Sequence, residues 1–194
     1  MPFLTIFIKN VILDKNNKFN LMRDLSDRVN RIYSRLEIVQ NNIDANRITV
    51  QMIHNGSHYY ETKESIQRVS VFFELTDIST SFIGSHIKDI PCTMISKLIT
   101  KLLDEDYFDY SIYDNEFHNL YYASLTKETK RIYFFSLKDI NDHLLGFMTV
   151  EFIDENKELN EEQIDDIRRA VHYMIDDILF VKSKNTKNGK TWQN

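Results

Sequence analysis

His54 and His58 flank an Asn55-Gly56 step, and Tyr59 and Tyr60 follow directly. Imidazole and phenol side chains together offer hydrogen bonds, stacking surface and a proton acceptor, the equipment of a concave small-molecule site. His54, Asn55, His58 and Tyr60 are therefore candidate ligand contacts. Blander readings stand beside these: a histidine satisfied by backbone at a strand end, turn chemistry at Asn-Gly, and a solvated loop beyond it. The four-residue spacing of His54 and His58 suits a metal pair on a helix. The Asn-Gly step argues against a helix there, and no HExxH occurs.

Cys92 is the only cysteine. It falls in the first turn of an expected helix, where the dipole lowers a thiol pKa. A nucleophile also needs a base, and His86 is near only in sequence, so a packed core cysteine is the competing reading. His118 and Tyr121, in a stretch of uncertain structure, and Glu74, on the opposite side of its strand from Val69, Val71 and Phe73, complete the candidate ligand set with His86 and Cys92. No two carboxylates are arranged for acid–base work. The expectation is no catalytic residue, no metal ligand and no required cofactor.

Composition removes further classes. With 4 Gly, widely separated, neither GxGxxG nor a P-loop can be assembled. A net charge of −5 lacks the field of a non-specific nucleic-acid binder. The lysines from Lys182 to Lys190 read as a polar tail. A lone cysteine excludes an internal disulfide and a thiolate zinc cluster, and points to a reducing, cytoplasmic location. The apolar run in MPFLTIFIKN is too short to cross a bilayer. Richness in Lys, Asn and Ile suggests a low-GC coding sequence, hence a bacterium or a phage. With 42% hydrophobic and 12% aromatic residues the chain can bury a full core, so one domain with terminal extensions is expected.

Several elements must position these groups. Residues 1–18 read as an amphipathic extension, broken at Asp14-Lys15-Asn16-Asn17. From Phe19 to Asp44, Met22, Leu25, Val29, Ile32 and Leu36 step by three and four, an a/d seam ending near Asn41-Asn42. Ile48, Val50 and Met52 alternate with Thr49 and Gln51 in a strand that shares a face with His54 and enters a hairpin turn at Asn55-Gly56. Further strands are expected over 67–76, 107–113, 131–137 and 144–153, the last central because it is almost continuously apolar. A loop spans 77–90, and a helix starts near Pro91 with Asp89 as its cap. Asn160 and Gln163 form a capping box for the last helix. There Ile167, Val171, Met174 and Ile178 make a second seam, and residues 183–194 form a loose tail.

The order of long helix, two strands, helix, three strands and long helix resembles the GAF domain over about 19–182. The strand RITVQMIH entered straight from a helix, the strand Leu144-Leu145-Gly146-Phe147-Met148-Thr149-Val150 and the Asn-capped helix after it carry the resemblance. It implies an α+β fold with an antiparallel sheet of about five to six strands. Long terminal helices pack on one face, and a ligand pocket lies on the other, between the sheet and residues 77–92 and 114–129. The resemblance also implies small-ligand binding, a chromophore, or dimerisation alone. The NKFDE-type motif of cyclic-nucleotide members is absent. The single cysteine cannot run a dithiol cycle. Cys92 is followed by Thr93 rather than the histidine usual at a bilin attachment site. The expectation is a non-enzymatic ligand-binding or regulatory module for a small molecule or nucleotide. The two seams either pack on each other and on the sheet within one subunit or, the favoured expectation, join a homodimer through Met22, Leu25, Val29, Ile32, Leu36, Ile167, Val171, Met174 and Ile178. The alternative is an interaction dimer with no small ligand.

Overall fold

A computed structural model describes residues 2–58, 65–114 and 128–189, with side chains over 20–56, 66–114 and 128–180. Among these residues six antiparallel strands form one sheet in the order β3-β2-β1-β6-β5-β4. The strands are β1 (Arg47–His58), β2 (Ser65–Thr76), β3 (Ile90–Pro91), β4 (Tyr107–Ser111), β5 (Arg131–Lys138) and β6 (Leu144–Phe152). The helices are α1 (Pro2–Ile43), α2 (Ser96–Asp104) and α3 (Glu161–Gly189), with a 3-10 turn at Cys92–Ile95 before α2. The chain divides into two compact units: Met1–Ser34 with Asp176–Asn194, and Arg35–Ile175.

In the larger unit, strand periodicity sorts side chains onto two faces. Ile48, Val50 and Met52 pair with Val150, Met148 and Gly146, and all six residues are buried on one face. On the same face, Tyr133 Oη accepts the N–H of Leu159 just before α3, at 3.0 Å. Phe135 lines a groove with Arg168 and Val171 of α3 there. This is the helix face. Arg47, Thr49 and Gln51 alternate onto the opposite face with Thr149 and Glu151, as do Phe108, Tyr110 and Phe134. The Lys101 ammonium of α2 stands over Phe108 and Tyr110 at 4.5 and 4.7 Å from the ring centres. We call this the loop face.

β6 sits between β1 and β5, the central place its apolar run implied. The capping box of α3 forms reciprocally: Gln163 N–H donates to Asn160 Oδ1 at 2.9 Å and Asn160 N–H to Gln163 Oε1 at 3.1 Å. Asn160→Ala is expected to lower stability by about 1 kcal/mol, measured by urea denaturation. No measurable change would mean that the N–H groups at the start of α3 find water at no cost.

Three local expectations are corrected. α1 runs through Asp14–Asn17 without a break and ends at Ile43, where Asp44 takes a left-handed φ of 57°. Asn55-Gly56 is not a turn: β1 continues to His58, pairing with β2 through a register shift between Asn55 and His58. No described glycine has positive φ; Gly56 instead lies under the Arg68 side chain, whose Cδ would be 2.4 Å from an added Cβ. Asp89 does not cap α2; its N–H donates to Ser70 Oγ at 2.8 Å and its carbonyl accepts from Arg68 at 2.7 Å. The seam residues Ile32, Leu36, Ile167, Val171, Met174 and Ile178 are buried within the single chain, whereas Met22 is 62% exposed. Leu25 and Val29 are half-buried.

In the smaller unit Asp177 is buried and accepts from Arg28 Nη1 at 3.2 Å, Arg31 Nε at 3.1 Å and Arg31 Nη2 at 2.7 Å. The Arg28 guanidinium also stacks on Phe180 at 4.0 Å. An a/d seam buries its apolar side, and this charged cluster fixes which turn of α1 meets which turn of α3 within that unit.

Candidate functional site

β1 and β6 occupy the middle of the sheet, and over residues 47–52 and 146–152 both of their faces are buried. Their alternate polar residues are buried and must find partners from one another. They do so in a continuous file. Gln51 Nε2 donates to Thr49 Oγ1 at 3.0 Å, and Thr49 Oγ1 lies 2.7 Å from Thr149 Oγ1. Thr149 Oγ1 donates to Glu151 Oε1 at 3.2 Å. Glu151 Oε2 accepts from Arg47 Nε at 3.1 Å, Arg47 Nη2 at 2.8 Å and Thr129 Oγ1 at 2.7 Å. Arg47 is 0% exposed and Glu151 2%. Such a pair is tolerable only because its lone pairs and N–H groups are met.

The file is walled on the β4–β5 side by Phe108, Tyr110 and Phe134, with Phe108 and Phe134 stacked at 5.2 Å and Phe134 tilted against Phe147 at 6.0 Å. A loop at 77–89 borders it on the β2 side. Glu74 reaches from β2 into that loop and accepts the N–H groups of Ile83 and Gly84 at 2.7 and 2.8 Å. Arg47 Nη1 donates to Ser81 O at 2.6 Å, and Glu128 accepts from Ser81 N–H and Oγ at 3.2 and 3.1 Å. Asp77 anchors the start of the loop. Burial opposes its ionisation, yet hydrogen bonds from Ser79, Asn46 and Thr80 outweigh that and hold its carboxyl below the usual range.

The sequence-derived ligand set does not converge on one place. Glu74 pairs with Thr49 and faces the loop side, whereas His54 shares the face of Ile48, Val50 and Met52. His54 Nε2 lies 2.9 Å from Ser70 Oγ and 3.7 Å from Asp89 Oδ1, while Nδ1 faces Asn55 O at 3.4 Å. No catalytic triad arises, because both partners share one ring nitrogen and the other nitrogen meets a backbone carbonyl. Asn55 is exposed and accepts from Gln67 at 2.8 Å. His86 is exposed on the 77–89 loop. Cys92 is half-buried, and burial pushes its thiol up, against the helix-dipole effect expected from position. The side chain of His58, and all of Tyr60, His118 and Tyr121, lie outside the described residues. Among the described residues no group of three His, Cys, Asp or Glu could hold a metal.

The residues missed in sequence were Arg47, Thr49, Gln51, Thr149 and Glu151. The signal was present: a charge inside LLGFMTVEF, a strand already expected to be central, cannot be solvated and must have a partner.

No protein-family model matches the chain, and no curated protein matches it. Solved structures do. The GAF domain of PixJ from Thermosynechococcus elongatus, in its blue-light absorbing form, aligns over 88% of this chain and 94% of its own, at 12% identity and a TM-score of 0.58. The phycoerythrobilin-bound GAF domain from a cyanobacterial phytochrome aligns over 85% and 97%, at 12% identity and a TM-score of 0.57. The GAF domain of a two-component sensor histidine kinase from Bacillus halodurans aligns over 82% and 97%, at 13% identity and a TM-score of 0.55. No helix among the described residues is long and apolar enough to cross a membrane. At these identities the likeness speaks to architecture, and there it is consistent: the chain has a GAF-like α+β fold.

Proposed function

We propose that the chain is a non-catalytic regulatory module that binds a small organic molecule on the loop face of its sheet, between the polar file, α2 and the loop at 77–89. The observation that carries this reading is the file itself. A structural core has no need of hydrogen-bonding side chains on three successive alternate positions of β1 and two of β6; apolar residues would fill the space without the requirement for partners. The Thr49, Thr149 and Gln51 groups are buried beside Phe108, Phe134 and Phe147, so a ligand reaches them only when the 77–89 loop lifts; once reached, they suit a flat, largely apolar molecule with a hydrogen-bonding edge. A nucleobase or a linear tetrapyrrole has that character, and one structural neighbour is phycoerythrobilin-bound. Arg47 does not provide a free cation here, since Glu151 already engages it.

Thermal shift and native mass spectrometry against nucleotides, nucleosides, bilins and aromatic metabolites test the proposal. A ligand at about 100 times its Kd adds about 2.7 kcal/mol, or a Tm rise of roughly 5–10 °C for a chain of this size. Thr149→Val should weaken that ligand while leaving the fold intact. A panel that gives neither a mass adduct nor a shift overturns the reading.

A second reading, an interaction dimer without a small ligand, is favoured by a groove of about 280 Å³ between the end of α1 and α3. Its lining includes Ile38 and Tyr173, 59% and 63% exposed. A dimer surface here would replace the buried seam residues with their exposed neighbours. Light scattering separates the cases: a dimer that Tyr173→Glu converts to monomer supports it, and a monomer at tens of micromolar removes it.

A further inference from the structure

The joint between α1 and β1 is tied to the 77–84 loop by more bonds than chain continuity needs. Asp44 in its left-handed conformation lets Ala45 N–H return to Gln40 O at 3.1 Å, the closure that ends α1 and fixes the next residue against its last turn. That residue, Asn46, then engages each of its polar groups. Its carbonyl accepts from Asp77 N–H at 2.8 Å and from Thr80 Oγ1 at 2.9 Å. Its Nδ2 donates to Asp77 Oδ2 at 2.7 Å and Ser79 Oγ at 3.3 Å. Its Oδ1 accepts from Ile153 N–H at 2.9 Å, and its own N–H donates to Glu151 O at 3.0 Å. Arg47 adds the bond to Ser81 O and one from Nη2 to Thr129 Oγ1 at 2.9 Å.

We propose that Asn46 and Arg47 form a coupling joint, through which the 77–84 loop and the last turn of α1 change conformation together. The bonds leave little independent freedom. A loop that lifts from the sheet must release the Asn46 carbonyl and amide together. A helix end that shifts must carry those same acceptors with it. If the loop face holds a ligand, as proposed above, the joint is where occupancy would be felt at α1; the mechanical coupling itself needs no ligand. The physical warrant is one short segment, Ala45 to Arg47, that Ala45 closes onto α1 and that Asn46 and Arg47 bond to the loop, rather than mere intermediacy between them.

Amide hydrogen exchange on the full, ligand-free chain tests this. Thr80→Val removes the hydroxyl bonds at the loop and leaves α1 unaltered in sequence. Asn46→Ala removes the joint itself. Each variant is expected to speed exchange by about tenfold, the order for a lost buried hydrogen bond, both at residues 77–84 and at residues 42–46. Exchange in β5 should not move. Because coupling is reciprocal, the loop variant must be felt at the helix end. Acceleration confined to the loop in Thr80→Val overturns the proposal, and so does a uniform rise that includes β5. Should Asn46→Ala fail to fold, Thr80→Val decides alone. A failed ligand panel leaves this result standing, and a failed coupling test leaves the ligand site standing.

Discussion

Arg47→Met is expected to destabilise the protein by about 3–5 kcal/mol, the penalty for leaving one member of a buried ion pair without the other. Glu151 would keep its hydrogen bonds from Thr129 and Thr149 but lose both guanidinium donors. With the side chain 2% exposed, water cannot take their place. The Ser81 carbonyl would lose its partner as well. Replacing both residues, Arg47→Met with Glu151→Leu, should recover much of the loss, because the remaining hydroxyls can pair with one another and no charge stays buried. A urea denaturation cycle over the two singles and the double measures this. A single-variant loss below about 1 kcal/mol would show that solvent reaches the Arg47–Glu151 pair and that this end of the file is open to water.

Gly146→Ala should be comparably severe for a different reason. A Cβ at that position would lie 2.0 Å from Gln51 O and 2.9 Å from Met52 Cα. Both contacts are backbone in the neighbouring central strand, which cannot rotate aside as a side chain does. β1 would have to move away from β6 at the Met52–Gly146 pair, disturbing the ladder and the Gln51 end of the polar file together. A loss of about 3 kcal/mol or more is expected, at the upper end of single-substitution effects. Gly56→Ala is the natural control. Its nearest obstacle is the Arg68 side chain, which can swing outward, although Ile66 O at 2.9 Å makes the site tight as well. Thermal unfolding of the two variants should rank Gly146 well above Gly56. Equal losses would mean that the strand approach at Gly146 relaxes easily.

Particular residues show what the sequence could and could not reveal. The alternation Ile48, Val50, Met52 and the stepping of Ile164, Ile167, Val171 and Met174 report one-dimensional periods, and a period survives folding unchanged. The Asn160–Gln163 box is local within one turn and formed as expected. Asn55-Gly56 failed because a local turn preference was outweighed by ladder pairing: β2 reaches back to Ser65, and Gly56 serves to let Arg68 cross it. The Asp14–Asn17 polar run did not end α1, since polar residues interrupt an apolar stripe without forbidding helical φ and ψ. Arg47 and Glu151 stand 104 positions apart, and no local pattern joins them. Only the reasoning that a central strand has no wet side could have asked where Glu151 finds its counter-charge. Thr49, Gln51 and Thr149 carried no such signal, because threonine and glutamine in a strand pass as ordinary exposed alternates, whereas an ionisable ring such as His54 stands out.

The strand order carries a consequence for how the chain reaches this state. β1 and β2 are close in sequence and can zip together early, whereas β6, the other neighbour of β1, is made almost a hundred residues later. During synthesis the emerging hairpin therefore waits with one side of β1 unpaired. That side includes Arg47 before Glu151 has arrived, so the edge bears a positive charge at its start, a feature that discourages another strand from pairing there. Docking of β6 then closes the sheet and neutralises that charge in the same event. Assembly includes a long-range closure, and slow folding is the expected signature of such a topology. The residue that stabilises the finished core thus also protects the unfinished one.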